Sequence, residues 1–306
     1  MIKHRMVLIL WAAMDIGTNS SRLLVAKYDP ESEKLSTFRR ALQTTRIGLG
    51  MKDGNRYLNP EAMNRTLLAL AEFSAVLQHY PVKKVVLLAT QAVREARNQE
   101  ELVEKIKVRL GWDLQIISGE EEAKLSYLGA MQGLTVTGVP IVIDIGGGST
   151  EFIRKEEKGN GTYQVKSLPF GALRLWENPL SDKIIQRRLA EALADFSLPE
   201  KPILIGVGGT VTTVAAVKLG LTHYAAEKVQ GLKISLTEIR ALYEKLKEMQ
   251  PEERLQVAGI PPGRADIIVT GMQILINIMA YWQTQQITVS DQDLLQGVIL
   301  INNQNQ

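Results

Sequence analysis

Apolar runs and helical periodicities alternate along the first third of the chain. Asn59-Pro60-Glu61 is typical of a helix start, and from there to about residue 80 apolar side chains recur every three or four positions. A second helix is predicted over 99–110. Apolar or alternating runs predict strands at 6–15, 22–28, 35–42, 85–89 and 113–117. The order β-β-β-α-β-α-β is typical of a mixed α/β unit.

The rest of the chain starts with the same strand pattern. A helix predicted over 119–131 is followed by further strands and helices, and Lys158-Gly159-Asn160-Gly161 predicts a hairpin turn. The strands are predicted at 139–144, 151–154, 163–168 and 203–207, and the helices at 181–196, 235–249, 265–282 and 293–302. The repeated pattern predicts a duplicated α/β fold with a soft boundary within 118–135.

Composition restricts the classes of function. The chain has 45% hydrophobic and 23% charged residues, as globular proteins do, and a net charge of only +3 gives no support for nucleic-acid or membrane binding. The absence of cysteine excludes disulfides, thiolate metal sites and a cysteine nucleophile. The apolar run 6–14 leads directly into a turn, so we expect a strand rather than a signal peptide, and a cytoplasmic protein. Apolar helix faces near the C-terminus allow a homodimer.

Two glycine-containing turns begin alike, 129 positions apart (144 − 15). The first starts with Asp15-Ile16-Gly17 and the second with Asp144-Ile145-Gly146, and both have serine at the sixth position. Such turns can bind phosphate through backbone N–H groups and small polar side chains, although ordinary hairpins also contain glycine. The candidate phosphate-binding residues are Asp15, Thr18, Asn19, Ser20, Gly146, Gly147, Gly148 and Ser149.

The eighth position distinguishes the two turns. The first turn has Arg22 at this position and the second has Glu151. Arg22 is either a cation of the site or an ordinary surface residue. Asp144 and Glu151 lie at opposite ends of the second turn, on adjoining predicted strands. Together with Asp15 they are candidate ligands of Mg²⁺, because hard cations prefer oxygen donors.

Four other motifs lie at strand ends or helix starts. The run Ser118-Gly119-Glu120-Glu121-Glu122 starts a helix whose dipole the acids complement, and only one acid can face a cleft because successive positions differ by about 100°. Arg94 follows the strand 85–89, where α/β proteins bind ligands, but also suits an exposed helix. Gly208-Gly209-Thr210 allows close approach of a ligand or tight packing, and Arg264 could reach a cleft or cap a helix.

Taken together, these segments resemble the exopolyphosphatase and guanosine pentaphosphate phosphatase (Ppx/GppA) family, within the superfamily of actin, hexokinase and heat-shock ATPases. The matching segments occur in family order at 15–20, 90–96, 118–123, 144–151, 206–210, 262–266 and 290–297. The resemblance implies the short form with two ribonuclease-H-like domains, 1–120 and 121–292, separated by a cleft. It also implies that a final helix at about 293–306 packs back on the first domain.

The resemblance further implies Mg²⁺-dependent hydrolysis of the terminal phosphoanhydride of inorganic polyphosphate. The family's catalytic glutamate directly precedes an alanine, which makes it Glu122, and Asp144 and Glu151 complete the catalytic set. Arg94 and Arg264 are implied to bind neighbouring phosphates, and Gly208, Gly209 and Thr210 to contact substrate. Guanosine pentaphosphate (pppGpp) is the alternative substrate, because the motifs do not separate the two. An ATP-dependent kinase and a non-catalytic binder of polyphosphate or alarmone are further alternatives; the three acids count against the binder.

Overall fold

The computed structural model describes residues 10–32, 34–51, 54–156, 161–196 and 202–304. Positions 6–9 of the first predicted strand and most of the hairpin turn predicted at 158–161 lie outside these residues. Within the described part of the chain, no helix combines the length and the apolar character that crossing a membrane requires.

The N-terminal part forms a five-stranded mixed sheet. Its elements are β1 (Leu10–Ile16), β2 (Ser21–Asp29), β3 (Lys34–Gln43), α1 (Pro60–Leu77), β4 (Val82–Ala89), α2 (Gln91–Glu95), α3 (Gln99–Leu110) and β5 (Leu114–Ile116). The strand order is β3-β2-β1-β4-β5. The pairs among β3, β2 and β1 are antiparallel, and β1, β4 and β5 are parallel. Every residue of β1 is buried, because helices cover both faces of this sheet.

The remainder forms a six-stranded mixed sheet with the order β10-β11-β9-β6-β7-β8. Its first elements are α4 (Gly119–Met131), β6 (Pro140–Ile145), β7 (Thr150–Lys155), β8 (Tyr163–Leu168), α5 (Ala172–Glu177), α6 (Asp182–Ala192), β9 (Ile203–Val207) and α7 (Gly208–Lys218). Next come α8 (Ala226–Val229), β10 (Lys233–Ser235), α9 (Leu236–Lys247), α10 (Pro251–Arg254), a 3-10 turn (Pro262–Arg264), α11 (Ile268–Tyr281), β11 (Gln286–Val289) and α12 (Leu294–Gln304).

The two sheets share one topology. The order β8-β7-β6-β9-β11 in the second sheet corresponds to β3-β2-β1-β4-β5 in the first, with antiparallel pairs on one side of the central strand and parallel pairs on the other. The second sheet adds β10, antiparallel to β11. The prediction of a duplicated ribonuclease-H-like α/β fold is therefore confirmed.

Long periodic segments were easier to predict than short ones. The bounds of α3, α4, β8 and β9 coincide with the predicted ranges, whereas no range was predicted for α2, α5, α7, α8, α10, β10 and β11. Apart from α7, these elements have three to six residues, so they contain too few positions for a periodicity to be recognised. Helix α7 has 11 residues, but its valine, threonine and alanine residues do not form an apolar stripe on one face. The order of the main elements nevertheless follows the sequence pattern.

The helices α4 and α12 cross in close contact. A Cβ atom on Gly129 would overlap the carbonyl oxygen of Asp293, and one on Gly297 would overlap the carbonyl oxygen of Leu125. The apolar face of α12 also packs on β1 and β2. The helix α4, which carries Glu122, is thereby held against α12. The division into domains 1–120 and 121–292 stays a prediction.

Candidate active site

The two glycine turns have the same backbone geometry. In each, the glycine that follows the Asp-Ile pair donates its N–H to the carbonyl oxygen of the serine at the end of the turn, at 3.0 Å in both cases. The strand register places Asp15 opposite Arg22 and Asp144 opposite Glu151. The residues that distinguish the two turns therefore lie at equivalent positions, each beside its own aspartate.

The turns face each other at short range. A Cβ atom on Gly147 would lie 3.0 Å from the Cβ of Asn19, and one on Gly148 would lie 3.0 Å from the Oγ1 of Thr18. The sequence suggested that these glycines leave backbone N–H groups open to an anion. In the structure they also leave room for the side chains of the opposite turn, so glycine at 147 and 148 lets the two turns approach each other closely.

Arg22 links two buried carboxylates across the first turn. Its Nε lies 3.1 Å from both carboxylate oxygens of Asp15, its Nη2 also pairs with Asp15, and its Nη1 pairs with Asp293. Burial lowers the pKa of Arg22, but the charges of Asp15 and Asp293 raise it well above its usual range. Arg22 is thus a cation of the site rather than an ordinary surface residue. Sequence reasoning missed Asp293, which lies 271 positions away.

In the second turn, no arginine or lysine of the described residues bridges the two acids by an ion pair. Burial raises the pKa of Asp144 to about 7, with a contribution from the charge of Asp293. Burial, followed by the charges of Glu122 and Asp144, raises the pKa of Glu151 well above its usual range. The Ser167 hydroxyl donates to Glu151 Oε1 at 2.9 Å. The pair Asp144 and Glu151 is therefore an electrostatically unfavourable oxygen cluster that a cation would stabilise.

The structure separates the three consecutive acids at the start of α4. Glu121 closes a capping box with Ser118, and Glu120 is exposed. Glu122 faces the cleft, where Arg94 Nη1 donates to its Oε2 at 2.8 Å. Burial raises the pKa of Glu122, and the charge and hydrogen bond of Arg94 oppose that rise. A partly desolvated carboxylate with an elevated pKa is suited to accept a proton.

The third glycine turn packs against two site side chains. A Cβ on Gly208 would lie 2.8 Å from Asp144 Oδ1, and one on Gly209 would overlap the guanidinium of Arg264. Tight packing thus accounts for both glycines. Burial lowers the pKa of Arg264 to about 10, and the charge of Arg22 lowers it as well. Thr210 is buried against Gly271 of α11, outside the cleft.

These groups enclose a cleft of about 90 Å³. Most of the residues proposed from the sequence line it: Asp15, Thr18, Asn19, Ser20, Glu122, Asp144, Gly146, Gly147, Ser149, Glu151, Gly208, Gly209 and Arg264. Arg94 stands behind Glu122, and Gly148 contacts the first turn. The lining residues outside the glycine turns that were not proposed as site residues are Thr90, Gln91, Ser126, Asp293 and Leu294. All but Ser126 lie in the segments 90–96 and 290–297 that match the family, but no motif distinguished them from their neighbours.

A second, larger cavity of about 560 Å³ adjoins the cleft and shares Arg22, Arg264 and Asp293 with it. Much of its wall is apolar, formed by Leu42, Leu221, Ile260, Pro261 and Pro262. Apart from Arg264, which the cleft shares, the charges that line it are paired: Arg22 pairs with Asp293, and Arg40 bonds Asp291, which also accepts from the Tyr224 hydroxyl. This cavity therefore suits an uncharged group better than a polyanion.

The fit of a metal ion depends on Asp144 and Glu151. Among the described residues, no three His, Asp or Glu side chains are grouped closely enough to hold a metal by themselves. Asp15 is bonded to Arg22, which leaves it poorly placed as a direct ligand. Asp144 and Glu151 face each other from adjacent strands with carboxylate oxygens that no arginine or lysine neutralises by an ion pair in the described part of the chain. This two-oxygen set fits a hard divalent cation that completes its shell with water and substrate.

Comparisons with known proteins show a similarity in sequence and fold. A model described as the Ppx/GppA phosphatase family matches residues 24–305. Exopolyphosphatase 2 of Mycobacterium tuberculosis is 31% identical over 319 residues, covering 96% of this chain and 99% of the relative. The Ppx/GppA family member of Aquifex aeolicus superposes with a TM-score of 0.79 at 28% identity, covering 98% of this chain and 99% of that chain. An exopolyphosphatase from Cytophaga hutchinsonii gives 0.83 at 26% identity, with 97% and 98% covered.

Proposed function

The chain belongs to the Ppx/GppA phosphatase family and is a hydrolase, and we propose that it hydrolyses the terminal phosphoanhydride of inorganic polyphosphate. The observation that carries this proposal is the position of Glu122, a partly buried carboxylate in a cleft formed by two turns suited to phosphate. Two of the similar proteins are named exopolyphosphatases, which favours polyphosphate as the substrate.

Glu122 is the proposed general base. A water molecule attacks the terminal phosphorus in line with the bridging oxygen, and Glu122 accepts a proton from that water. The bond between phosphorus and the bridging oxygen breaks, and the shortened chain leaves with the electron pair. Arg94, which donates to Glu122 at 2.8 Å, holds the carboxylate in place and keeps part of its negative charge balanced.

Asp144 and Glu151 are proposed to hold Mg²⁺, which would neutralise charge on the phosphoryl oxygens when bound. Asp15, also a candidate ligand, pairs with Arg22, so we propose that it contributes through that ion pair and not as a direct ligand. Full activity in excess EDTA would contradict this part of the proposal.

The substrate is proposed to lie between the two turns and Arg264. Thr18, Asn19 and Ser20 of the first turn and Gly146, Gly147 and Ser149 of the second turn line the cleft. Arg264 has no ion-pair partner among the described residues, and its lowered pKa reflects a partly buried cation without enough neighbouring negative charge. A phosphate would supply that charge. Binding of a polyanion at this site is expected to weaken with added salt.

The test compares neighbouring acids. Purified Glu122→Gln is expected to release phosphate from polyphosphate at least about 100-fold more slowly than the unsubstituted protein, since the base is lost. Glu120→Gln, which changes an exposed acid two positions away, serves as the matched control and is expected to keep the full rate. Near-normal turnover by Glu122→Gln would show that Glu122 is not the base.

A second candidate substrate is guanosine pentaphosphate, favoured by the 560 Å³ cavity with its apolar wall. In this alternative the guanine base and ribose lie against the apolar wall while the phosphates of the nucleotide extend towards Arg264. Leu42→Trp would fill part of this cavity and is expected to lower kcat/KM for pppGpp about tenfold while leaving polyphosphate turnover unchanged. Parallel kinetics on both substrates with Mg²⁺ decide between them, and a higher kcat/KM for pppGpp would favour the nucleotide.

A further inference from the structure

Ser126 lines the cleft and has a buried hydroxyl for which the described residues supply no hydrogen-bond partner. It lies one turn beyond Glu122 on α4, so the two side chains leave the same face of the helix. Ser126 is 1% exposed and lines the cleft, and its Oγ has no hydrogen-bond partner within the described residues. Because buried hydroxyls ordinarily form hydrogen bonds, this one is placed for a molecule that enters the cleft.

Gln91 presents a second unpartnered atom from the first residue of α2. Its Nε2 donates to Glu95 Oε1 at 2.8 Å, which fixes the orientation of the amide. The Oε1 of this 7% exposed side chain accepts no hydrogen bond from the described part of the chain. A Cβ atom on Gly148 would overlap that oxygen, so the glycine leaves space for it.

The chemistry of these two atoms selects water over phosphate. Gln91 Oε1 can only accept a hydrogen bond, and phosphate oxygens are also acceptors, so this position disfavours substrate and suits an O–H donor. The Ser126 hydroxyl can donate to the oxygen of the same molecule. The cleft of about 90 Å³ has room for a few waters, each of which occupies about 30 Å³ in the liquid.

We propose that Ser126 and Gln91 hold the attacking water against Glu122, an assignment that rests on the proposed hydrolysis. The water donates one hydrogen to the Glu122 carboxylate and the other to Gln91 Oε1, and accepts a hydrogen bond from Ser126. Its remaining lone pair attacks the terminal phosphorus. As the new O–P bond forms, Glu122 takes the first proton, and the anhydride bond breaks with its electron pair on the leaving oxygen.

Steady-state kinetics test the assignment. Ser126→Ala and Gln91→Met are each expected to lower kcat about 10- to 100-fold with KM within about twofold, because the water loses its orientation while phosphate contacts remain. Thr66→Val removes a buried hydroxyl that donates to Ala62 outside the cleft, and is expected to keep the full rate. An unchanged kcat in both cleft variants would overturn the proposal.

Two further measurements separate a water-positioning role from a structural one. When Glu122→Gln is already present, adding Ser126→Ala is expected to lower kcat by less than a further factor of about three, because the effects of residues that act as a unit are not additive. If Ser126→Ala lowered kcat in that variant as much as it does alone, the proposal would be overturned. A high-resolution crystal structure without substrate is expected to show an ordered water within about 3.2 Å of Ser126 Oγ, Gln91 Oε1 and the Glu122 carboxylate. A dry position there overturns the assignment whatever the activity. If the ordered water is present but the protein hydrolyses neither polyphosphate nor pppGpp, the water site is supported and the proposed function is contradicted.

Discussion

Loss of the Arg22 guanidinium is expected to destabilise the fold, because Asp15 and Asp293 would then share a buried site without their cation. Removing one partner of a buried ion pair costs about 3–5 kcal/mol. The Arg22 side chain is 26% exposed, so we expect the lower end, about 3 kcal/mol, for Arg22→Met. With an m-value of about 3 kcal/mol/M, the urea midpoint falls by about 1 M. Tryptophan fluorescence in urea with EDTA present measures this shift without a metal replacing the lost charge.

Two variants make this prediction refutable. Arg39→Met removes an exposed arginine from the neighbouring strand β3 and is expected to change stability by less than about 0.5 kcal/mol. Asp293→Asn removes one of the two competing carboxylates, so the double variant with Arg22→Met is expected to be about 1 kcal/mol more stable than Arg22→Met alone. If Arg22→Met unfolds at the same urea concentration as Arg39→Met, the reasoning from paired burial is refuted.

Three other substitutions test the packing and a surface charge. Gly297→Ala would overlap the Leu125 carbonyl, and chemical unfolding is expected to show a loss of about 2 kcal/mol or more. Gly209→Ala would displace the Arg264 guanidinium, so KM for polyphosphate is expected to rise about tenfold with the fold intact by circular dichroism. The Lys218 ammonium and the Ser235 cap lower the pKa of Glu238 to about 2, so its stabilising effect is present above pH 4.5 and lost as pH falls towards 2. In thermal unfolding at pH 7, Glu238→Gln is therefore expected to be less stable than the unsubstituted protein by less than about 1 kcal/mol. Near pH 2 the two proteins are expected to have equal stability.

The hairpins were predictable because their information is local. An apolar run, a turn of four residues and a second run specify two adjacent strands, and the turn length sets the register that places Asp15 opposite Arg22 and Asp144 opposite Glu151. The helices α3 and α4 were predicted for the same reason, since caps and periodicity lie within the segment itself. The duplicated sheet topology follows from applying these local rules twice.

The site was less predictable where contacts join distant segments. Periodicity could not choose among three consecutive acids, and only the family resemblance indicated Glu122; in the structure, Arg94 on α2 meets that side chain and the Ser118 cap takes Glu121. Asp293 was missed because its partner Arg22 lies 271 positions away and no motif connects them.

The clearest difference concerns the glycines. Sequence alone identifies where side chains are missing, and so where another group can come close, but not which group that is. The fold places the first turn against Gly147, the Gln91 amide against Gly148 and the Arg264 guanidinium against Gly209. The chain thus specifies its strands, helices and turns through interactions between near neighbours. The residues that line the cleft, and the charges that interact in it, come together only when the two sheets and the crossing of α4 with α12 bring remote segments into contact. Tertiary structure decides this because burial and Coulombic interaction depend on distance in space rather than along the chain.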